Sequence, residues 1–218
     1  NRGFLHRLTR FIRAKHNCMI VKEMSANALC VIGIGPEILN KYAPNTTSCL
    51  VSTNHLLSER EYHKRTSFEL HKPPRILFVG DMQRRKGLTY LFEALAELKF
   101  MGREFELVMV GSGPLVETLQ AFSKSKGFSD SVKFVGRVDH GEDLFSYFRS
   151  SDVLVLPSVA SEGVPRATHE AMAFGVPVIA TDIGSIGWQL GSDGGILIPP
   201  FNVKKIIEAL LYILQDED

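Results

Sequence analysis

The sequence has little of several things that would have set its class at once. It holds only three cysteines, Cys18, Cys30 and Cys49, an odd number with no Cys-x-x-Cys pair. That argues against a disulfide framework and a zinc site and fits a reducing compartment, so a cytoplasmic location is expected. No apolar run approaches the ~20 residues that span a bilayer. Net charge is +1, which supplies no overall basic field, so no nucleic-acid partner is expected. There is no His-Glu-x-x-His, no Gly-x-Ser-x-Gly and no Walker loop, and the strand–loop region has no Asp-x-Asp. Asp216-Glu217-Asp218 reads as a frayed acidic end. The histidines do not cluster, and no metal is expected. Heptads, low-complexity runs and solenoid repeats are missing too. What is left is an ordinary globular composition, 44% hydrophobic and 22% charged over 218 residues, long enough for a full core without staples. The chain opens on Asn1 with no signal-peptide pattern, which reads as the start of a fragment.

From Pro73 onward, short apolar runs alternate with longer amphipathic ones. Arg75–Val79, Glu106–Val110, Val132–Val135, Val153–Leu156 and Val178–Ala180 are rich in Val, Ile and Phe, and Gly, Pro or Ser follows each. Such runs are expected to be buried parallel strands. Between them, Leu88, Leu91, Phe92, Leu95 and Leu98 share one helix face. Ile206, Ile207, Leu210, Leu211 and Leu214 do the same near the end, with Lys204, Lys205 and Glu208 outside. Strand–helix repetition of this kind predicts an α/β fold with a doubly wound, Rossmann-like parallel sheet. Ligands of such sheets sit beyond the carboxyl ends of the strands, here Gly80–Gly87, Gly111–Pro114, Gly136–Gly141, Ser158–Glu170 and Thr181–Ser185.

The first seventy residues differ. Ala28–Ile34 reads as a strand, followed by Gly35-Pro36, a short helix over Glu37–Tyr42 and a polar stretch over Thr47–Ser52. A charged segment from Asn54 to Pro74 follows, with few apolar residues. Residues 1–72 are therefore expected to be the incomplete end of a neighbouring domain with its linker, and residues 73–218 a ligand-binding domain. Phe4, Leu5, Leu8, Phe11 and Ile12 form one face of a segment, Phe4–Lys15, that carries Arg2, Arg7, Arg10, Arg13 and Lys15 nearby. One reading is an amphipathic helix on anionic lipid, a peripheral membrane contact. The other, preferred, is a helix whose apolar face packs inside the missing domain.

Three patterns carry chemistry. Ser161-Glu162-Gly163-Val164-Pro165-Arg166-Ala167-Thr168-His169-Glu170 lies between two strands, with Pro165 suited to the first turn of a helix. Free N–H groups near Gly163 and Val164 would meet anionic oxygens or hydroxyls there. Ionised Glu162 and Glu170 are pure acceptors, suited to vicinal hydroxyl pairs; a capping acid and a solvated helix glutamate are the plainer alternative. In Gly80-Asp81-Met82-Gln83-Arg84-Arg85-Lys86-Gly87, three cations precede a helix, against its dipole, so an anion such as a diphosphate is expected. A solvated basic loop is the plainer alternative there. Gly111-Ser112-Gly113-Pro114 begins like a dinucleotide fingerprint, but Val116 takes the third glycine position. A tight turn under a nucleotide, or a structural turn, fits better than an oxidoreductase. His169 falls on a different helix face from Glu170 and reads as packing.

In order and spacing these residues resemble the C-terminal domain of group 1 glycosyltransferases, retaining enzymes with two facing Rossmann-like domains (the GT-B fold). The resemblance runs through Val79-Gly80 with Lys86-Gly87, Val110-Gly111-Ser112-Gly113 and Val132-Lys133-Phe134-Val135-Gly136. It continues through Glu162-Gly163-Val164-Pro165 with Glu170-Ala171-Met172-Ala173, then Gly175-Val176-Pro177-Val178-Ile179-Ala180-Thr181-Asp182. It implies hexose transfer with retention from a nucleotide-diphosphate sugar to a glycan, lipid or small-molecule acceptor, as in polysaccharide biosynthesis, with no cofactor and no metal.

The resemblance also implies roles. Lys86 would contact the diphosphate beside Gly80, Arg85 and Gly111. Glu162 would hold the hexose, assisted by backbone N–H groups of the Gly163-Val164-Pro165 stretch. Glu170 would take the ribose, and Gly136 and Arg137 would run beside the base. Lys86 and Glu162 would act in catalysis. The acceptor would come from the other domain, so the chain by itself is expected to bind nucleotide without transferring sugar. Asp81 departs from the family pattern, which usually has Arg there; Arg84 or Arg85 would pair with it or supply the missing charge. A non-hydrolysing nucleotide-sugar epimerase and a binding module without turnover are the alternatives. A glycoside hydrolase fits poorly, because both glutamates lie on one loop–helix element.

Overall fold

The computed structural model describes residues 18–28, 30–44, 49–52, 65–66 and 69–214. The segment Phe4–Lys15 lies outside them. The chain divides into two compact units, Asn1–Asn54 and His55–Asp218.

In the first unit, helix α1 (18–26) precedes strand β1 (Val31–Ile34), helix α2 (Pro36–Tyr42) and strand β2 (Cys49–Ser52). β1 is shorter than the Ala28–Ile34 expected. Gly35, at φ 85°, turns the chain into α2, where Pro36 fills the first turn, whose N–H needs no partner. Gly33 lets α2 lie close, since a Cβ there would meet Leu39 Cγ at 2.6 Å. The stretch read as merely polar contains β2, which pairs parallel with β1 from Val31↔Cys49 to Ile34↔Ser52. Its apolar core, Cys49-Leu50-Val51, is too short to stand out between Thr and Ser.

The second unit is built on a six-stranded, all-parallel sheet in the order β5-β4-β3-β6-β7-β8. Its strands are β3 (Arg75–Val79), β4 (Glu106–Val110), β5 (Val132–Gly136), β6 (Val153–Leu156), β7 (Val178–Thr181) and β8 (Ile196–Ile198). β8 is absent from the sequence reading. Helices α3 (Leu88–Phe100), α4 (Val116–Ser125), α5 (Glu142–Arg149), α6 (Arg166–Ala173), α7 (Ile186–Leu190) and α8 (Val203–Ile213) alternate with the strands. The apolar run Ile76-Leu77-Phe78 is wholly buried, as a strand covered on both faces should be. The predicted face of α3 (Leu88, Leu91, Phe92, Leu95, Leu98) is buried in the same core. The α/β, doubly wound reading is correct.

Strand order reverses between β3 and β6, whose pairing begins at Ile76↔Val153. At such a reversal the loops leave in opposite directions and open a crevice beyond the carboxyl ends of the strands. The unit extends upstream of Arg75. The Arg65 guanidinium donates to Ser151 O (3.0 Å) and Asp152 Oδ1 (3.4 Å), and His71 N donates to Asp152 Oδ2 (3.2 Å).

Candidate donor site

The crevice holds a cleft of about 540 Å³, a volume suited to a small-molecule ligand. One wall comes from the β3 loop (Gly80, Asp81, Lys86). The β4 loop (Gly111, Ser112), the β5 loop (Arg137 to His140) and the start of α6 (Pro165, Arg166, Ala167, Glu170) complete it.

The β3 loop departs from the expectation of cations at a helix start. Arg84–Lys86 form a separate 3-10 turn, and Gly87 (φ 65°) intervenes before α3. No side chain fits at Gly87, because a Cβ there would run into the Pro157 carbonyl oxygen of the β6 loop. Val159 N donates to Arg85 O at 2.8 Å and joins the two loops again. Turned inward by this packing, Lys86 is buried, and its Nζ lies 2.7 Å from Glu162 Oε1.

Glu162 is buried as well, in the loop after β6. Ser158 Oγ donates to its Oε1 at 2.7 Å and Arg85 Nη1 to the same oxygen at 3.2 Å. Both hydrogen bonds and the shortest approach of Lys86 fall on Oε1, and no hydrogen bond from the described residues reaches Oε2. Two further bonds hold the loop: Thr181 Oγ1 donates to Ser158 O at 2.7 Å, and Ser185 N to Glu162 O at 3.0 Å. Gly184, also at positive φ, passes so close to Glu162 O that any Cβ would overlap it. Arg85 Nη2 reaches both Asp81 oxygens, at 2.9 and 3.0 Å. Of the two cations considered for Asp81, Arg85 is the partner. Asp81, Arg85, Lys86 and Glu162 thus form a quartet of two acids and two bases.

At the other end of the cleft, α6 starts at Arg166, with Pro165 extended (ψ 131°) as its N-cap. Gln189 Nε2 donates to Pro165 O at 3.0 Å and lies 2.8 Å from His169 Nδ1, so His169 is engaged away from Glu170. Glu170 is buried one turn inside α6, and His140 Nε2 comes within 3.7 Å of its Oε1. Burial pushes the Glu170 carboxyl above the ordinary carboxylate value, against the opposing fields of His140 and Arg166. The His140 ring stands edge-on to Phe145, at 5.0 Å between centroids.

The sequence pattern of the family described as glycosyl transferases group 1 matches residues 59–218. The chain belongs to the group 1 glycosyltransferases. It is 32% identical over 161 residues to an alpha-D-kanosaminyltransferase of Streptomyces kanamyceticus, covering 73% of this chain and 41% of that protein. It is 33% identical over 154 residues to the amylovoran biosynthesis glycosyltransferase AmsK of Erwinia amylovora, covering 68% and 38%. The chain thus spans about two fifths of the length of these curated relatives. Among solved structures, sucrose-phosphate synthase from Thermosynechococcus elongatus superposes with a TM-score of 0.77 at 26% identity, covering 93% of this chain and 53% of that one. Anabaena Alr3699/HepE, solved in complex with UDP-glucose, gives a TM-score of 0.76 at 20% identity, covering 92% and 58%, a likeness of fold.

Of the residues singled out in the sequence, Gly80, Lys86, Gly111, Arg137, Pro165 and Glu170 line the cleft. Arg85 and Glu162 stand behind Lys86, joined to it through Oε1 of Glu162. Gly136, Gly163 and Val164 are not part of the lining, and Val164 is buried. One expectation needs correcting. Pro165 has no N–H to donate, so only Gly163 and Val164 of that stretch can offer one. Asp139, His140 and Arg166 line the cleft without having been singled out. For the first two, the available signal was their place in Gly136–Gly141, the loop beyond a strand's carboxyl end.

Proposed function

We propose that this chain supplies the donor site of a retaining glycosyltransferase that moves a hexose from a nucleotide-diphosphate sugar to a hydroxyl of a glycan, lipid or small molecule. The observation that carries this reading is the buried Lys86–Glu162 pair at the β3/β6 reversal, beside a cleft whose far wall is Glu170. Lys86 lies where a diphosphate would meet the start of α3. Glu162 offers Oε2 to hexose hydroxyls, and Glu170 offers an acceptor for the ribose, with Gly136 and Arg137 beside the base. In the reaction, the bond from the sugar's anomeric carbon to the diphosphate breaks, and negative charge grows on the leaving oxygen next to Lys86. The acceptor oxygen bonds to the same face of the sugar, and its proton passes to the departing diphosphate. The pairing of Asp81 with Arg85 favours turnover over a binding module, since it relieves the repulsion that an unpaired acid would exert on a diphosphate. Lys86, with Arg84 next to it in the chain, can do the neutralising in place of a metal. Free Cys18 and Cys30 fit a reducing, cytoplasmic setting.

Calorimetric titration with uridine, guanosine and adenosine diphosphates and their glucose conjugates tests the reading; the HepE complex puts uridine first. Binding of at least one pair is expected. Glu170→Gln should weaken both members, and Glu162→Gln the conjugate more than the bare diphosphate. No binding at all, or equal effects of the two variants on the bare diphosphate, contradicts it. In the longer enzyme, turnover lost to EDTA and restored by magnesium would overturn metal independence.

A further inference from the structure

We infer that Asp81 is a positioning residue for the donor sugar: through Arg85 it keeps Glu162 aimed at the hexose while Lys86 turns to the diphosphate. The inference rests on the donor-site reading above. In the structure Lys86 is committed to Glu162 at 2.7 Å, and both side chains are nearly buried, 8% and 10% exposed. A diphosphate draws the ammonium toward itself and weakens that pair. A buried carboxylate that loses its counter-charge is destabilised, and its geometry with it. Ser158 alone cannot replace the charge. Arg85 can, because Nη1 already donates to the same oxygen.

Arg85 is otherwise poorly placed to stay. It is 43% exposed, on a long flexible stem, and a free guanidinium there would swing to the diphosphate as readily as Lys86. Asp81 prevents this by taking Nη2 on both carboxylate oxygens, while Val159 N fixes the Arg85 backbone. An acid on the cleft wall therefore serves the sugar, although by charge alone it opposes the phosphate.

The two effects have opposite signs, which makes the experiment decisive. UDP and UDP-glucose are titrated into the full chain, or the guanosine or adenosine pair if that is the one bound. Asp81→Asn should weaken UDP-glucose by roughly fivefold, a modest factor for partly exposed groups, while UDP holds or tightens. Arg85→Gln should shift the same ratio, and the double variant should lose no more than Arg85→Gln alone. Thermal unfolding of each variant keeps loss of fold apart from loss of positioning, since the ratio of the two affinities is insensitive to the folded fraction. If Asp81→Asn tightens both ligands by one factor, or the two losses add, Asp81 is a bystander charge. If the wild-type chain binds none of the pairs, the donor-site reading falls and takes this inference with it. If the wild type binds and Asp81→Asn leaves the ratio unchanged, only the inference falls.

Discussion

Two buried carboxylates flank strand β6, Asp152 at its amino end and Glu162 in the loop beyond its carboxyl end, and they are satisfied in different ways. Asp152 uses both oxygens. Oδ1 faces Arg65 Nη2 at 3.4 Å and His71 Nδ1 at 2.9 Å, while Oδ2 accepts from His71 N at 3.2 Å and Arg75 N at 2.7 Å. Glu162 takes both of its hydrogen bonds, and the shortest approach of Lys86 Nζ, on one oxygen. The first arrangement ties Arg65, His71 and Arg75 to the start of β6. The second is strong enough to fix a side chain but still has an acceptor to offer. A buried acid with both oxygens hydrogen-bonded fastens the fold; one that keeps an oxygen free of hydrogen bonds retains an acceptor.

The contrast breaks most visibly if the wrong acid proves structural. Asp152→Ala removes the acceptor of one Arg65 nitrogen, Nη2, and of the backbone N–H groups of His71 and Arg75, and should cost about 3 kcal/mol of unfolding free energy. Urea titration measures that loss, and the molecules that remain folded should bind nucleotide as before. A matching fall in their affinity would mean that the two ends of β6 are not independent. Next in size is Lys86→Ala, expected to weaken UDP and UDP-glucose alike by roughly 1.5–3 kcal/mol, the range for a charge-assisted contact. Unchanged calorimetric affinity for both would remove Lys86 from the site.

The smallest effect concerns pH. Burial raises the Glu170 carboxyl above its ordinary value of 4.5. Between that value and the raised one, the folded protein keeps a proton that the unfolded chain has released. Stability attributable to Glu170 therefore falls as pH rises through the window. Ligand affinity should move the other way, weakening as pH falls through the same window, because a protonated carboxyl is a poorer acceptor for ribose hydroxyls. Glu170→Gln should flatten both profiles. An affinity profile of unchanged slope in that variant would assign the titration to another group.

Most of the sheet was legible in the sequence because parallel strands buried on both faces are written as unbroken apolar runs. The limits read for β3, β4 and β6 match those in the structure. β8 escaped because three residues between Gly195 and Pro199 give no period to count. The loops that meet at the cleft could be named from the strand ends alone. What could not be read was which side chains reach one another across distant stretches of chain. Asp152 gathers donors 77 to 87 residues away, and no local pattern announces them. The same blindness hid His140, whose link to Glu170 exists only once the loop leading into α5 is brought up to α6. Arg85 was visible as one of two partners for Asp81, but its second bond, to Glu162, was not.

The two halves of the cleft wall also differ in how much change they can absorb. Around Glu162 the loops after β3, β6 and β7 are laced so tightly that even a methyl group is refused at Gly87 and Gly184. Across the cleft, an added Cβ at Gly136 or Gly141 meets no atom within 4 Å. Sequence drift and laboratory libraries therefore have unequal freedom on the two sides. The laced corner is inherited as a block, since altering one of its loops disturbs the other two. The β5 side can lengthen, acquire side chains or trade one charge for another without dislodging that corner, although both glycines stand at positive φ and new residues there carry a backbone cost. New ligand preferences in descendants of this chain should accordingly accumulate between Gly136 and Gly141.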